Sequence, residues 1–533
     1  MHLVWLVASF LVCVTASSPG VSRSTGTVNV GSIFTTSTMK GKVAEIAMKA
    51  AQDDTNSDPS VLGGWNLSIT VRDSNYSGFL GIIEALQFME ADTVAIISPQ
   101  STVMARILSH VSNELQVPLL SPNIFPSPVP LLCPNRPSDL FQMTAIVDMI
   151  SYYGWAEVIA VFSDEYQSRN GITVLGEKLA ERRCKIGYKA ALPPDHTGTT
   201  VKPSVVEAML TKNRLMESRV IVLHTFSKSG LLVFDLAQRL EMMQDGFVWI
   251  ATTWLSTLLD SITPLPPNIA ASIQLGALTL RPHTPNSKKK ADFVSRWEQL
   301  SNGSVGLNPS GLYAYDTIWM VARAVRRFLD QGNRITSSND SKLMALGGSS
   351  KLNLGSLSVF DGGSQLLNLI LQTNMSGLSG PLSFIPDDRS LPRPAYDIIN
   401  VIGTGQKRVG YWSNHSSLSV VPPETLYDKE PNRSSSSQHL STVVWPGGST
   451  MRPRGWGFPD NWRQLRIGTP NRVSYRHFVQ KLNGSDVVHG YCIDVFRAAV
   501  KLLPYEVPYK FVPYGNGRRN PSYNKLVTQI TAG

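Results

Sequence analysis

The sequence predicts an α/β protein in which a two-lobe domain precedes a further α/β segment. Three observations support this prediction. Strand and helix patterns alternate from Val28 to Ile250, a polar connector rich in Pro, Gly, Ser and Trp covers 416–463, and a strand–loop–helix–strand pattern fills 464–533. A hydrophobic content of 42% with 17% charged residues is ordinary for globular domains with cores.

The long first region alternates short apolar runs with amphipathic stretches. Thr93–Ile97 is a continuous apolar run of the kind that is buried in a parallel sheet. Repeated strand–helix alternation favours parallel, right-handed βαβ units arranged in two lobes. The predicted strands are 28–34, 67–71, 93–97, 117–120, 157–162, 185–191, 219–223 and 247–250. The predicted helices are 44–53, 79–90, 101–114, 139–153, 175–182 and 231–240.

The C-terminal region carries its own pattern. A short strand at Leu465–Gly468 is followed by a polar loop and then by a helix that begins after Gly490. Apolar residues recur at helical spacing, which predicts one buried face formed by residues 492, 493, 496, 499, 500 and 503. A second strand is expected at Val507–Val512. Asp494 is expected to face solvent on the first helical turn, where the helix dipole favours an acid.

The chain begins with features of a secretory protein. Residues 1–17 combine an apolar run with small residues suited to cleavage, which predicts a signal peptide. No other window has the roughly 20 apolar residues of a spanning helix, so a secretory-pathway product is expected. The sequons give candidate N-glycosylation sites at Asn66, Asn75, Asn302, Asn339, Asn374, Asn414, Asn432 and Asn483.

Cysteine and charge limit the function classes. Cys133, Cys184 and Cys492 remain after the signal peptide, so an oxidising compartment leaves at least one free thiol or an intermolecular bridge. They lie far apart without histidine patterns, so no metal site and no cofactor are predicted. The net charge of +10 comes mostly from scattered Lys and Arg after Ser449, which favours no nucleic-acid partner.

Catalytic motifs are also missing from the sequence. It contains no G-x-S-x-G elbow, no P-loop, no H-E-x-x-H and no G-x-G-x-x-G after a strand. His196, His224 and His283 are isolated. The chain is therefore not expected to be an enzyme.

Several short sequence motifs resemble those of a known protein family. The C-terminal region contains, in this order, Leu465-Arg466-Ile467-Gly468, Gly490-Tyr491-Cys492-Ile493-Asp494-Val495-Phe496 and Val507-Pro508-Tyr509-Lys510-Phe511. Together these motifs resemble the first part of the ligand-binding domain of plant glutamate receptor-like channels, within the ionotropic glutamate receptor family. Ile96-Ile97-Ser98-Pro99-Gln100-Ser101 and Tyr153-Gly154-Trp155 resemble the amino-terminal domain of the same receptors. The resemblance implies a two-lobe, periplasmic-binding-protein-like (type I) domain at 28–415, a linker at 416–463 with few contacts of its own, and an incomplete type II binding-domain segment at 464–533.

A ligand of such a domain lies at strand C-terminal ends and helix N-termini, where unpaired N–H groups favour a carboxylate. Ser98, Gln100 and Ser101 follow the strand at Thr93–Ile97, and Ser101 also suits a helix N-cap. Asp164 and Tyr166 follow the strand at 157–162 and are expected to face the cleft from the second lobe. A turn residue and a packed aromatic are the alternative interpretation of these two.

Two departures from the family pattern qualify these expectations. Six prolines occupy Pro122–Pro137, where the family has a small-residue turn, and such a stretch is expected to supply no strand ladder. An error in the reading frame and a real insertion with altered specificity are the two explanations. The arginine that holds the ligand's carboxylate in the family falls beyond Gly533, which predicts that the second binding domain is truncated.

The resemblance implies the extracellular ligand-sensing portion of a ligand-gated, non-selective cation channel without its pore. Its implied partners are amino-acid-like small molecules, other receptor subunits (a tetramer in the family) and a membrane reached through a missing C-terminal part. The expected location is the extracellular side of the cell membrane, or secreted or lumenal if the truncation is real. The alternative is a soluble amino-acid-binding or subunit-assembly module.

Overall fold

The structure is a computed structural model of the 533-residue chain. It describes residues 26–75, 77–89, 91–98, 102–121, 131–134, 140–194, 201–262, 275–339, 358–385, 389, 393–403, 405–431, 434, 437–457, 465–481, 487–502 and 507–531. The described chain divides into two units. Unit 1 falls within 1–141, 257–263 and 282–394, and unit 2 within 142–256, 264–281 and 395–533.

The strands alternate with helices through both units. In chain order the strands are β1 Thr27–Phe34, β2 Asn66–Asp73, β3 Thr93–Ile97, β4 Leu119–Ser121, β5 Leu132–Pro134, β6 Glu157–Ser163, β7 Lys185–Leu192, β8 Val220–His224, β9 Val248–Ala251, β10 Leu275–Pro282, β11 Ser337–Asn339, β12 Ser358–Phe360, β13 Met375–Ser376, β14 Pro381–Leu382, β15 Ala395–Ile402, β16 Gly405–Ser413, β17 Ser417–Ser419, β18 Leu465–Pro470, β19 Gln480–Lys481, β20 Val488–His489 and β21 Tyr509–Tyr514.

The helices are α1 Met39–Ser57, α2 Pro59–Leu62, α3 Gly78–Met89, α4 Thr102–Glu114, α5 Leu140–Tyr152, α6 Tyr166–Glu181, α7 Pro203–Arg214, α8 Ser227–Arg239, α9 Trp254–Ser261, α10 Lys288–Ser301, α11 Pro309–Asp330, α12 Gly363–Leu371, α13 Tyr491–Lys501 and α14 Tyr523–Thr531. The predicted α/β class and strand–helix order are confirmed. Several elements are longer than predicted, α1 and α6 most of all, because polar residues at their ends carry no periodic signal.

Unit 1 is built on a parallel sheet in the order β2-β1-β3-β4-β5. The β3 run is buried along its whole length, as its apolar sequence predicts. The long helices α1 and α11 contribute buried apolar faces to the same core. Asn308 caps α11 by accepting from the amides of Ser310 and Gly311, which fixes where this core helix begins.

The prediction that the proline-rich stretch forms no ladder is wrong at Leu132–Pro134. This segment pairs with β4 in parallel as the edge strand, and the Leu119 amide donates to the Leu131 carbonyl at 2.8 Å. An edge strand needs ladder hydrogen bonds on one side only, so prolines near it are tolerated. The remainder of 122–137, apart from Leu131, lies outside the described residues.

Unit 2 contains a mixed sheet in the order β17-β16-β15-β10-β9-β8-β6-β7. The strands from β10 to β7 pair in parallel, whereas β15, β16 and β17 pair antiparallel. The sequence did not indicate this antiparallel extension. β17 lies inside the range that the composition assigned to a linker.

The C-terminal region forms a small α/β unit of its own within unit 2. Its strands β18 and β21 pair in parallel, and α13 lies between them in sequence, so the predicted strand–loop–helix–strand pattern is confirmed. Asp494 is exposed, 3.7 Å from the Arg497 guanidinium. Among the described residues of the predicted α13 face, Ile493 is buried, positions 496 and 500 are partly buried, and Cys492 and Ala499 are exposed, so the predicted burial is wrong there. Leu503 lies outside the described residues.

Candidate functional site

The carboxyl end of the unit 1 sheet brings two buried serines together. Ser98 follows β3 and Ser121 ends β4, and both side chains are fully buried. Ile97 pairs with Leu120 in the parallel ladder, and the Ser98 amide donates to the Leu120 carbonyl at 2.9 Å. If the β3–β4 pairing is extended by one residue beyond Ile97 and Leu120, Ser98 lies beside Ser121.

Neither of these hydroxyls is satisfied by the described protein. The Oγ atoms of Ser98 and Ser121 have no hydrogen-bond partner among the described residues. A buried hydroxyl without a partner costs roughly 1–3 kcal/mol, so such groups are rare unless something else binds them. The pair can donate to a carboxylate and accept from an ammonium group, because each hydroxyl is both donor and acceptor.

Neighbouring groups at the same edge are paired or inert. Ser32 on β1 donates its hydroxyl to the Ile97 carbonyl at 3.0 Å. Thr35 and Ser74 share a hydrogen bond of 3.1 Å. Burial raises the pKa of the Cys133 thiol, on β5, to about 12, so this sulfur stays protonated and is a poor nucleophile.

The corresponding edge of unit 2 is different, because its hydroxyls are satisfied internally. Ser163 at the end of β6 and Thr225 after β8 lie 2.6 Å apart through their hydroxyl oxygens. The His224 Nδ1 atom is 3.0 Å from the Thr252 hydroxyl. This edge therefore offers fewer unsatisfied side-chain groups than the edge of unit 1.

Two helices at the unit 2 edge begin without a side-chain cap. α6 begins after Glu165 and α8 after Phe226, and neither residue makes a side-chain capping bond. The first amides of a helix lack intrahelical partners and attract anions when no side chain caps them. Asp164, in the turn before α6, accepts from Arg169 Nε at 2.6 Å. This hydrogen bond from the guanidinium lowers the pKa of Asp164, so the carboxylate is ionised and already paired.

The outcome for the predicted site residues is mixed. Ser98 has the expected place at a strand end, while Gln100 and Ser101 lie outside the described residues. Tyr166 is half exposed on the first turn of α6. Whether any of these residues contacts a ligand stays a prediction. Sequence reasoning passed over Ser121, although the rule that selects Ser98 also selects a serine that ends the neighbouring parallel strand.

The glycosylation candidates are mostly accessible. Asn66, Asn75, Asn302, Asn339 and Asn374 are exposed and Asn414 is partly buried, while Asn432 and Asn483 lie outside the described residues. Cys133, Cys184 and Cys492 are all unbridged. In the described parts of the chain, no group of three His, Cys, Asp or Glu side chains could hold a metal ion. No helix among the described residues has both the length and the apolar composition to cross a membrane.

Comparison with known proteins agrees with this architecture. The family described as "Receptor family ligand binding region" matches residues 43–404, which is more than half of the chain. The chain belongs to this receptor family. The match begins within α1, so it covers β2 to β5 of the unit 1 sheet and, in the unit 2 sheet, β6 to β10 and β15.

Plant members of the family are similar over almost the whole chain. Glutamate receptor 3.2 of Arabidopsis thaliana is 54% identical over 540 residues, covering 100% of this chain and 59% of that protein. Glutamate receptor 3.1 of Oryza sativa subsp. japonica is 45% identical, covering 97% of this chain and 56% of that protein. Glutamate receptor 3.4 of Arabidopsis thaliana is 44% identical, covering 100% and 56%. The predicted resemblance to plant glutamate receptors is confirmed, and the chain spans less than two thirds of each relative.

Proposed function

We propose that this chain is the extracellular ligand-sensing portion of a glutamate receptor-like, ligand-gated non-selective cation channel that binds amino acids or related small molecules. The observation that carries the proposal is the pair of buried hydroxyls of Ser98 and Ser121 at the carboxyl end of the unit 1 sheet, for which the described residues offer no hydrogen-bond partner. Similarity to the ligand-binding region of a receptor family supports a binding role over catalysis.

An amino acid suits these hydroxyls chemically. Its carboxylate accepts from a hydroxyl or from a backbone amide, and its ammonium group donates to a hydroxyl oxygen. Bonds to charged groups contribute about 1.5–3 kcal/mol each, which is more than bonds between neutral groups. A ligand that satisfies both serines therefore stabilises the bound state and removes the cost of two orphaned buried groups.

Ligand binding acts on a channel only through its different affinities for different conformations. We propose that the chain, as part of a longer receptor, assembles with other subunits and is held at the extracellular side of a membrane by segments outside this sequence. The C-terminal region from Leu465 would be the first part of the second, ionotropic ligand-binding domain. Its apolar surface would be covered by the remainder of that domain.

Calorimetry on the secreted full chain tests the binding proposal. Titration with each of the twenty amino acids is expected to give a saturable isotherm for at least one, with a negative heat-capacity change as apolar surface is buried. The matched control is the amine that lacks the carboxylate of the same amino acid, which should bind at least tenfold more weakly. Flat traces for all twenty amino acids would contradict the proposal.

A further inference from the structure

Asn374 lies at a place where a sugar could be both attached and held. It follows α12 and precedes β13, in the sequon Asn374-Met375-Ser376. Met375 is buried, whereas Asn374 and Ser376 are exposed. Because side chains alternate along an extended segment, the carboxamide and the hydroxyl of the sequon share the exposed face.

Asn374 also lines a surface pocket of about 320 Å³ within unit 1. Trp319, Arg323, Arg326 and Ser60 form other parts of its wall. The Arg323 guanidinium lies over the Trp319 ring, 5.8 Å from the ring centroid. This volume is at the lower end of the range for small-molecule sites, so it suits one sugar ring better than a larger ligand.

Three arginines, Arg323, Arg326 and Arg327, line the pocket and make it rich in hydrogen-bond donors. Arg326 donates from Nε to Asp330 at 2.7 Å. Asp58 also lines the pocket, and it accepts from the Ser60 amide and hydroxyl. Asp58 and Asp330 offset only part of the positive charge of the three arginines. The guanidinium groups supply planar donors and Asp58 supplies a carboxylate acceptor, which match the hydroxyls and acetamide of an amino sugar.

We propose that Asn374 carries an N-linked glycan and that the first N-acetylglucosamine of this glycan occupies the pocket beside Trp319 and Arg323. In the attachment step the Asn374 amide nitrogen forms a bond to C1 of the sugar and loses one proton. The bond from C1 to the diphosphate of the sugar donor breaks, and the diphosphate leaves with the electron pair. Once attached, the sugar has a high effective concentration at the pocket, so weak contacts are enough to hold it.

Asn302 provides the matched comparison within the same unit. It is an exposed sequon asparagine at the end of α10, in the left-handed conformation. The following Gly303 has nothing within 4 Å of its Cβ position, so this site faces open space. A glycan on Asn302 is therefore expected to extend into solvent, whereas a glycan on Asn374 is expected to be shielded at the bond that joins sugar to protein.

The experiment uses the full chain secreted from a glycosylating eukaryotic host. Native protein is digested with a peptide N-glycosidase, and occupancy at each asparagine is followed by mass spectrometry. We expect Asn374 to be occupied and its glycan to be released at least tenfold more slowly than the glycan on Asn302. After denaturation both glycans should be released at the same rate.

Two variants separate docking in the pocket from simple crowding. Arg323 is exposed, so Arg323→Ala removes a wall of the pocket without opening the core. It is expected to raise the release rate at Asn374 to that at Asn302, and Arg323→Lys, which keeps the charge but loses the planar group, should act in the same direction. An unoccupied Asn374, equal release rates in the native wild-type chain, or no response to either variant would overturn the proposal.

Discussion

The segment Leu440–Gly457 and the C-terminal region Leu465–Thr531 differ in how they use their apolar residues. In the first, Leu440, Val443 and Trp445 are buried although the segment has the composition of a linker. In the second, large apolar side chains are exposed at Leu465, Val473, Tyr475, Phe478, Val487, Tyr491, Val495, Leu502, Tyr523, Val527 and Ile530. The comparison teaches that composition indicates backbone freedom, whereas packing depends on which surfaces the fold offers.

The prediction that the linker makes few contacts is wrong for Leu440–Gly457. The Trp445 ring makes edge-to-face contacts with Tyr153 and Trp155, and its centroid lies 5.0 Å and 5.7 Å from theirs, respectively. The Trp155 indole donates to the Pro453 carbonyl at 2.9 Å, and the Arg219 amide donates to the Gly455 carbonyl at 2.8 Å. The segment therefore forms part of the unit 2 core.

The C-terminal region has a small core by contrast. Its buried cluster consists of Val479, Val488 and Ile493, with Phe511 packed against them. The exposed apolar residues of α14 recur at the spacing of one helix face, at 523, 527 and 530. An exposed apolar face of this kind is typical of an interaction surface.

The largest expected effect comes from Trp445→Ala, which tests whether the segment is core. Loss of this buried ring should lower the free energy of opening of the neighbouring strands β6 and β8 by about 3–5 kcal/mol. Amide hydrogen exchange of these strands measures it. Trp456→Ala, at a half-exposed position in the same segment, is the control and should cost at most about 1 kcal/mol. Equal costs for the two variants would remove the distinction between core and surface in this segment.

A smaller effect is expected in the C-terminal region. Ile493→Ala should destabilise the β18–β21 ladder by about 2–4 kcal/mol, since Ile493 is one of few buried side chains there. Val495→Ala, two residues along the same helix at a position that is 49% exposed, should cost about 0.5 kcal/mol or less. Exchange rates of the ladder amides report both values. Similar effects at the two positions would show that this region has no defined core of its own.

The sequence predicts features that depend on local residue patterns and misses features that depend on contacts between distant residues. A continuous apolar run identified β3, and apolar residues at helical spacing identified α13, because both patterns depend on local geometry. It could not show that Trp445 is buried, since the partners Tyr153 and Trp155 lie almost 300 residues earlier in the chain. The strand-end rule found Ser98 but gave no indication that its hydroxyl has no hydrogen-bond partner in the described part of the chain, which only the packed structure reveals.

Substitution of Ser98 tests the central claim, that a ligand satisfies the hydroxyls at the unit 1 edge. Ser98→Ala should weaken binding of the amino acid found by calorimetry about tenfold, roughly 1.4 kcal/mol. The unliganded protein should keep or gain stability, since an orphaned hydroxyl is removed. Ser112→Ala is the control, because the Ser112 hydroxyl donates to the Val117 carbonyl in the same unit. It should lower stability and leave affinity unchanged. Unchanged affinity in Ser98→Ala, or a loss of stability as large as that of Ser112→Ala, would contradict the account.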